Sequence, residues 1–247
     1  MRLIDHYGAD GWGVDEPSAL LPRQRLAYQL VADATRSRTA PVRVLDIGCG
    51  DGTFLHHLAK HLGDAGMTYV GLDYSEYQLT KARRLPYEFH ACDVGEGIPL
   101  PNASVDVVHA AEVIEHLYNP DLFIEECARV LRPGGELVIT TPNLHAWYNR
   151  ALFVAGIQPV FHETSTRSTE VGAGALGRLK QDKRPVGHLR LFNRTAILDL
   201  LRREGFEPTA LLGARFHGVP GALRWLDAMF CHRPAMASIL VVGARKT

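Results

Sequence analysis

The 247-residue sequence has no long apolar run, no net charge and few cysteines. No stretch approaches the ~18 apolar residues that a membrane-spanning helix needs, and the opening MRLIDHYGAD lacks the apolar core of a secretory signal. The four cysteines are widely spaced without a CxxC pair, which disfavours a disulfide-rich secreted protein. We therefore expect a cytoplasmic protein with reduced thiols.

The zero net charge hides a division along the chain. Residues 1–164 carry 13 Lys and Arg against 21 Asp and Glu, whereas residues 165–247 carry 14 against 6. Such an asymmetry indicates either a basic surface for an anionic partner or helix faces that are rich in arginine and solvated. Both interpretations stay open at this point, because charge counts alone locate no patch.

Hydrophobic periodicity predicts alternating strands and helices. Strands are predicted at Val42–Ile47, Thr68–Leu72, Tyr87–Ala91, Val105–Ala110, Glu136–Thr141, Thr209–Ala214 and Ala237–Ala244. Helices are predicted at Glu16–Thr35, Thr53–Leu62, Glu76–Arg84, Asp121–Leu131, Thr195–Glu204 and Gly221–Met229. This alternation predicts an α/β fold, a doubly wound and mostly parallel seven-stranded sheet of Rossmann-like type.

The stretch VLDIGCGDGTFL places three glycines, Gly48, Gly50 and Gly52, directly after the first predicted strand. Ligands of open parallel sheets bind beyond the carboxyl ends of the strands, and glycines let the backbone approach a ligand closely. A dinucleotide fingerprint would need a glycine at position 53, which is Thr53. Asp46 just before the glycines would repel a pyrophosphate and suit a cationic ligand.

With these features the chain resembles the class I S-adenosylmethionine-dependent methyltransferases, in five stretches that cover roughly residues 40–143. They are LDIGCGDG, VGLDYS, HACDVGEGIPLP, VDVVHAAEVIEHL and VLRPGGELVITTPN. The resemblance implies S-adenosylmethionine as cofactor, with Asp46 near its amino-acid end, Asp73 on the ribose hydroxyls and Asp93 at the adenine amino group. The cofactor-binding residues that it implies are Asp46, Gly48, Gly50, Gly52, Asp73, Tyr74, Asp93, Val94 and Ala111.

The sequence AEVIEH after the fourth strand carries Glu112, Glu115 and His116 at spacings that would put all three on one helix face. It is similar to two methyltransferase subgroups, which act on small-RNA 2′-hydroxyls and on polyprenyl catechols. In the first, an ExxEH group with a later histidine holds a divalent metal, and that histidine could here be His162 or His188. A metal is an alternative that the sequence does not favour, so we predict His116, Glu112 and His188 as catalytic residues.

The predicted domain organisation is a helical flap at 1–40, containing Tyr7 and Trp12, followed by a methyltransferase domain at 41–247. The irregular segment 142–191 is predicted to be an insertion that covers the substrate. Within it, Trp147 and Tyr148 could stack on a substrate or anchor the lid, and Arg190 could reach an anionic acceptor or face solvent.

The predicted function is S-adenosylmethionine-dependent methylation of a small molecule, at oxygen, with an anionic or carrier-linked acceptor as one option. Contact with a membrane surface is compatible with this hypothesis. The alternatives are a metal-dependent RNA 2′-O-methyltransferase and a non-catalytic cofactor-binding partner. The sequence has no dense Lys/Arg run and no recognisable RNA-binding module, which makes a nucleic-acid partner the weaker hypothesis.

Overall fold

The computed structural model describes residues 20–39, 41–63, 65–179 and 183–247. Its core is one seven-stranded sheet with the order β3-β2-β1-β4-β5-β7-β6, in which β7 pairs antiparallel with both neighbours and the other pairings are parallel. The strands are β1 (Val42–Ile47), β2 (Met67–Asp73), β3 (Glu88–Ala91), β4 (Val105–Ala111), β5 (Leu131–Pro142), β6 (Phe206–Ala214) and β7 (Ile239–Lys246). This confirms the predicted fold class.

Seven α-helices and three short 3₁₀ helices occupy the described parts of the chain. The α-helices are α1 (Pro22–Arg36), α2 (Thr53–Leu62), α3 (Glu76–Ala82), α4 (Pro120–Val130), α5 (Trp147–Val154), α6 (Arg194–Arg203) and α7 (Arg224–Phe230). The 3₁₀ helices are Ile114–His116, Gly174–Leu179 and Gly221–Leu223.

Alternating strand side chains build a core on each face of the sheet, as the two-residue repeat of a strand requires. Leu45 of β1 faces the core that α4 and α6 cover, whereas its neighbour Val44 faces the core that α1 and α2 cover. Ala27 and Val31 of α1 are fully buried in this second core. The two covered faces leave the carboxyl edge of the parallel strands as the place where a ligand can enter.

The predicted elements agree with the structure to within a few residues at most ends, and three differences stand out. The first helix begins at Pro22 rather than Glu16, since Leu20 and Leu21 are not helical and proline fits a first helical turn. The RPGG stretch follows the end of α4 as predicted, but it is already part of β5. The irregular segment after β5 contains α5.

The predicted division into flap, domain and insertion stays a prediction. Tyr7 and Trp12 lie outside the described residues, and the described part of the amino-terminal region is α1, which packs on the sheet. In the described part of the chain, no helix combines the length and the apolar character needed to cross a bilayer. All four cysteines are free thiols.

Candidate active site

A cavity of about 410 Å³ opens at the carboxyl edge of the sheet, where β1, β2 and β4 end. Ten of the twelve predicted site residues line it, namely Gly48, Gly50, Asp73, Tyr74, Asp93, Val94, Ala111, Glu112, His116 and His188. Asp46 and Gly52 stand outside this lining. The cavity therefore gathers side chains from five separate stretches of the sequence.

The glycine loop follows β1 with its backbone in the left-handed region. Gly48 has φ +73° and Gly50 has φ +55°, values that side-chain-bearing residues adopt only at a cost. A Cβ added at Gly48 would lie 2.6 Å from Cγ2 of Val113. At Gly50 the same Cβ would meet nothing within 4 Å among the described residues. Gly48 is thus needed for both conformation and space, and Gly50 for conformation.

Asp73 ends β2 and ties the glycine loop to the next turn. Its Oδ2 accepts a hydrogen bond from the Gly50 amide at 2.8 Å, and its Oδ1 accepts one from the Ser75 amide at 2.8 Å. Burial raises the pKa of the Asp73 carboxyl, while these two amides act to lower it. The carboxylate therefore sits at the cavity wall with a fixed orientation.

Asp93 follows β3 and lines the same cavity beside Val94. One carboxylate oxygen of Asp93 accepts a hydrogen bond from the Gly95 amide at 2.9 Å, a short turn of the kind that Asp residues often form. The turn fixes the carboxyl group and leaves its second oxygen for another donor. Ala111, at the end of β4, also lines the cavity.

Asp46 points away from the cavity, into the core beneath the glycine loop. Its Oδ1 lies 2.7 Å from Nδ1 of His109, its partner in the β1–β4 register, and both residues are 2% exposed. The His109 ring stacks on Phe54 with a centroid distance of 3.8 Å. The placement gives Asp46 a buried histidine partner, and its predicted role near the cofactor stays a prediction.

Arg23 is a cavity residue that sequence reasoning missed. It extends from α1, and its Nε lies 3.6 Å from Oε2 of Glu112. The other Glu112 oxygen accepts a hydrogen bond from the Thr140 hydroxyl at 2.8 Å. Nothing in the sequence separates Arg23 from the other arginines of α1, because its position over the end of β4 depends on how the helix packs.

Glu112 does not share a helix face with Glu115 and His116, so that expectation was wrong. The 3₁₀ helix begins at Ile114, and Glu112 precedes it with φ +55°. This left-handed backbone turns Glu112 toward Arg23, while the helix directs Glu115 inward. Removal from water raises the pKa of Glu112, and the nearby Arg23 guanidinium opposes that effect.

Glu115, His116 and His188 form a compact cluster at the cavity wall. One ligand atom from each lies within 4.8 Å of the others, and the two imidazole rings are 4.9 Å apart at their centroids. Nδ1 of His116 is 3.2 Å from the Gly187 carbonyl, and Nδ1 of His188 is 3.1 Å from the Phe161 carbonyl. Each contact fits an Nδ1–H that donates to a carbonyl, which presents the Nε2 atom of each ring as an acceptor.

The electrostatics of this cluster favour uncharged groups. Glu115 is fully buried. Its pKa is raised well above the ordinary range, chiefly because burial disfavours the charged form and secondly because Glu112 repels it. Its Oε2 accepts from the Thr141 hydroxyl at 3.1 Å, whereas Oε1 has no hydrogen-bond partner among the described residues. Burial lowers the pKa of His188 to about 4, which keeps its ring neutral at physiological pH.

The segment that carries His188 is held by Glu163, a second residue that sequence reasoning missed. The Glu163 carboxylate accepts hydrogen bonds from the amides of Val186, Gly187 and His188 at 2.8, 2.7 and 3.1 Å. Three backbone donors on one carboxylate fix the backbone before His188 relative to Glu163. A lone glutamate in an irregular stretch gives no sequence signal for this role.

The remaining predicted lid residues lie elsewhere. His162 contacts the Gln158 side chain, so His188 is the later histidine that meets Glu115 and His116. Trp147 and Tyr148 pack against other aromatic rings, since Trp147 stacks on Phe230 and Tyr148 is edge-on to Trp147.

Arg190 is exposed and donates a hydrogen bond to the Tyr118 carbonyl at 3.1 Å.

Comparison with known proteins identifies the family. Residues 39–184 match the family described as a methyltransferase domain. A probable S-adenosylmethionine-dependent methyltransferase from Mycolicibacterium smegmatis is 33% identical over 220 residues, which cover 87% of this chain and 69% of that protein. A ubiquinone biosynthesis O-methyltransferase from Bradyrhizobium diazoefficiens is 34% identical over 124 residues, which cover 48% of this chain and 47% of that enzyme.

Solved structures share the fold. The 1,6-didemethyltoxoflavin-N1-methyltransferase of Burkholderia thailandensis, solved with 1,6-didemethyltoxoflavin and S-adenosylhomocysteine, superposes with a TM-score of 0.55 at 18% identity. The superposition covers 91% of this chain and 78% of that one. Since the family match spans more than half of the sequence and a relative is 33% identical over most of it, the chain belongs to the class I S-adenosylmethionine-dependent methyltransferases, enzymes that take a methyl group from S-adenosylmethionine.

Proposed function

We propose that the protein methylates an oxygen atom of a small-molecule acceptor. The observation that carries this proposal is the meeting of His116 and His188 at the wall of the cavity whose other side carries the glycine loop and Asp73. Neutral imidazole nitrogens can accept a hydroxyl proton, and an oxygen nucleophile needs that help more than an amine does. The ubiquinone O-methyltransferase relative supports oxygen as the acceptor atom.

In this proposal the cofactor lies along the strand ends. The amides of the glycine loop face its amino-acid portion, Asp73 accepts hydrogen bonds from the ribose hydroxyls, and Asp93 accepts one from the adenine amino group. Tyr74, Val94 and Ala111 line the cavity beside these groups and would pack against the nucleoside.

We further propose that Arg23 and Glu112 hold the amino-acid end of the cofactor. That end is a zwitterion, with a carboxylate and an ammonium group on one carbon. Arg23 and Glu112 present one charge of each sign to the cavity, 3.6 Å apart, so each can pair with the opposite charge of the ligand. This gives Glu112 a binding role in place of the catalytic one predicted from sequence.

The chemical step is an in-line displacement. A lone pair on the acceptor oxygen attacks the sulfonium methyl carbon, the carbon–sulfur bond breaks, and its electron pair stays on sulfur to give neutral S-adenosylhomocysteine. The acceptor hydroxyl releases its proton to Nε2 of His116. His188, whose pKa is about 4, stays neutral, and its Nε2 can accept a hydrogen bond from a second hydroxyl of the acceptor; alignment of this kind supplies much of the rate.

The experiment is a methyl-transfer assay with radiolabelled S-adenosylmethionine and a panel of phenols, catechols, sugars and amines, followed by mass analysis of the product. His116→Gln should lower kcat by about 10²- to 10⁴-fold, the usual contribution of a general base, with unchanged affinity for S-adenosylhomocysteine. Unchanged kcat in His116→Gln, or methyl groups found only on nitrogen, would contradict the proposal.

A metal-assisted form of the same reaction is a second candidate, favoured by the Glu115, His116 and His188 cluster. The donor set fits a divalent cation, since it offers a buried carboxylate oxygen without a hydrogen-bond partner and imidazoles whose Nδ1 atoms face carbonyls, the arrangement that orients metal-binding histidines. A bound divalent cation would supply Lewis-acid activation of the acceptor oxygen.

The metal form is tested by thermal denaturation with Mn²⁺ or Mg²⁺. Glu115→Gln should abolish any metal-dependent rise in the melting temperature. Absence of such a rise in the unmodified protein rejects the metal form and leaves the base mechanism intact.

RNA methylation and a purely cofactor-binding role are the remaining alternatives. Turnover by the isolated protein on small molecules excludes the non-catalytic role. A steep loss of acceptor affinity with rising salt would indicate RNA, because phosphate contacts release counterions.

A further inference from the structure

Helices α5 and α7 expose an unusual number of large apolar side chains. Phe153 and Val154 of α5 are 54% and 92% exposed, and Leu223, Trp225 and Met229 at α7 are 40%, 64% and 50% exposed. We call these five residues the α5–α7 surface. Five of the ten large apolar side chains that are exposed in the described residues thus belong to these two short helices and the residue before α7, and such a concentration is typical of an interaction site.

Side-chain contacts of Trp147 link the two helices. The Trp147 indole donates a hydrogen bond to Oδ1 of Asp227 at 3.1 Å and stacks on Phe230 at 5.7 Å. Arg150 of α5 donates a hydrogen bond to the carbonyl of Ala235 at 3.1 Å. The exposed side chains are therefore displayed by an ordered platform.

The geometry of α7 directs its apolar residues outward. Trp225 and Met229 are four residues apart, so they share one side of the helix. Asp227, two residues from each, lies on the opposite side and is 1% exposed. Its carboxylate accepts hydrogen bonds from the Ser238 hydroxyl and the Phe216 amide.

The two segments that carry the α5–α7 surface contain mostly basic charged residues. In residues 147–162 and 208–247 the sequence contains a single acidic residue, the buried Asp227. Arg150, Arg215, Arg224 and Arg233 are all exposed. The surface thus combines apolar side chains with cations and lacks an accessible carboxylate in these two segments.

We propose that the α5–α7 surface attaches the protein to the surface of an anionic membrane. Tryptophan and aliphatic side chains insert at the boundary of headgroups and acyl chains, and neighbouring arginines pair with anionic headgroups. A second copy of the chain fits this surface less well, because a two-fold interface would bring two copies of the same cationic surface together.

The surface is connected to the cavity wall by a chain of contacts. Asp227 accepts from the Phe216 amide at 3.0 Å, the Phe216 ring meets Phe161 at 4.8 Å, and Phe161 meets His188 at 5.6 Å. This chain of contacts runs from the buried side of α7 to the cavity wall that carries His188, where we propose that the acceptor binds.

Vesicle binding by the full chain tests this proposal without reference to catalysis. Co-sedimentation is measured with vesicles of two parts phosphatidylcholine to one part phosphatidylglycerol, and with pure phosphatidylcholine. We expect binding to the anionic vesicles, a blue shift of tryptophan emission that Trp225→Phe removes, and weaker binding at high salt. Trp225→Ser should reduce partitioning by about tenfold or more, and Arg224→Gln by about fivefold.

The matched control is Tyr77→Ser, which removes an aromatic ring of similar exposure from α3 and should leave partitioning unchanged. Circular dichroism and S-adenosylhomocysteine affinity verify that each variant is folded. Failure of the unmodified protein to bind anionic vesicles, equal binding to neutral vesicles, or an equal loss in Tyr77→Ser overturns the proposal. So does a shift from dimer to monomer in Trp225→Ser without vesicle binding, because a second copy would then be the occupant.

Discussion

The proposed role of Arg23 and Glu112 leads to a prediction that separates them from every other cavity residue. Arg23→Gln keeps the length and much of the shape of the side chain and removes its charge. If Arg23 pairs with the cofactor carboxylate, the loss must depend on whether the ligand has a carboxylate. 5′-Methylthioadenosine has the same nucleoside and sulfur and lacks the amino-acid end, so it serves as the comparison ligand.

The magnitude follows from the surroundings of the pair. The Arg23 and Glu112 side chains are 18% and 25% exposed, so they are partly shielded and still in contact with water. A charge-assisted hydrogen bond in such a place contributes about 1.5–3 kcal/mol. This converts to a rise in Kd for S-adenosylhomocysteine of about 10- to 150-fold, with the Kd for 5′-methylthioadenosine changed by less than about threefold.

Isothermal titration calorimetry measures both affinities on the same preparations. Arg25→Gln is the matched control, since Arg25 lies on the same helix and its Nε donates to the Leu20 carbonyl. Glu112→Gln should repeat the pattern through loss of the ammonium contact. An equal loss for both ligands in Arg23→Gln would refute the reasoning, because it would mean that the variant perturbs the cavity as a whole.

Three further predictions concern stability. Gly48→Ala should lower the melting temperature more than Gly50→Ala, since both place alanine at positive φ but only the first brings Cβ to 2.6 Å from Val113; equal losses would argue against this clash. Glu115→Gln should raise the free energy of unfolding at pH 8 and have little effect at pH 5, because a carboxyl whose folded pKa is raised loses stability as pH rises; urea titrations that show no pH dependence would contradict it. The folded-state pKa of His188 is about 4 against an ordinary 6.5. The free energy of unfolding should therefore fall by about 2–3 kcal/mol as the pH falls from 6.5 to 4, because the unfolded chain binds the proton first. His188→Asn should lose correspondingly less in the same titrations.

The sequence predicts those features of the site that depend on local order along the chain. A buried strand followed by GxGxG, and acids at the ends of successive strands, place Gly48, Gly50, Asp73 and Asp93 at one sheet edge once the fold class is known. The structure shows these residues around one cavity. Their positions follow from strand direction and connection rules, which is why pattern alone suffices.

Other site residues could not be assigned from pattern, because they depend on packing between distant segments. Arg23 reaches the cavity only because α1 lies across the sheet, and the choice between His162 and His188 depends on the path of the irregular segment after β5. Asp46 has the motif's residue type, yet its register partner is His109, which gives its carboxylate a buried partner. Glu112 was expected on a helix that begins two residues later than the spacing implied.

The segment that carries His188 is held in place through its own backbone amides. Five consecutive amides, from Val186 to Arg190, donate hydrogen bonds to two glutamates: three to the Glu163 carboxylate and two to the Glu115 carbonyl, the latter at 2.8 and 3.0 Å. Glu115 thereby binds this segment through its backbone carbonyl, and its carboxylate lies within 4.8 Å of a ring nitrogen of His188. An extended segment with every amide occupied cannot swing away without breaking several charge-assisted hydrogen bonds at once. His188 is therefore a fixed part of the cavity wall, and its distance from His116 is set by the folded chain rather than by the acceptor.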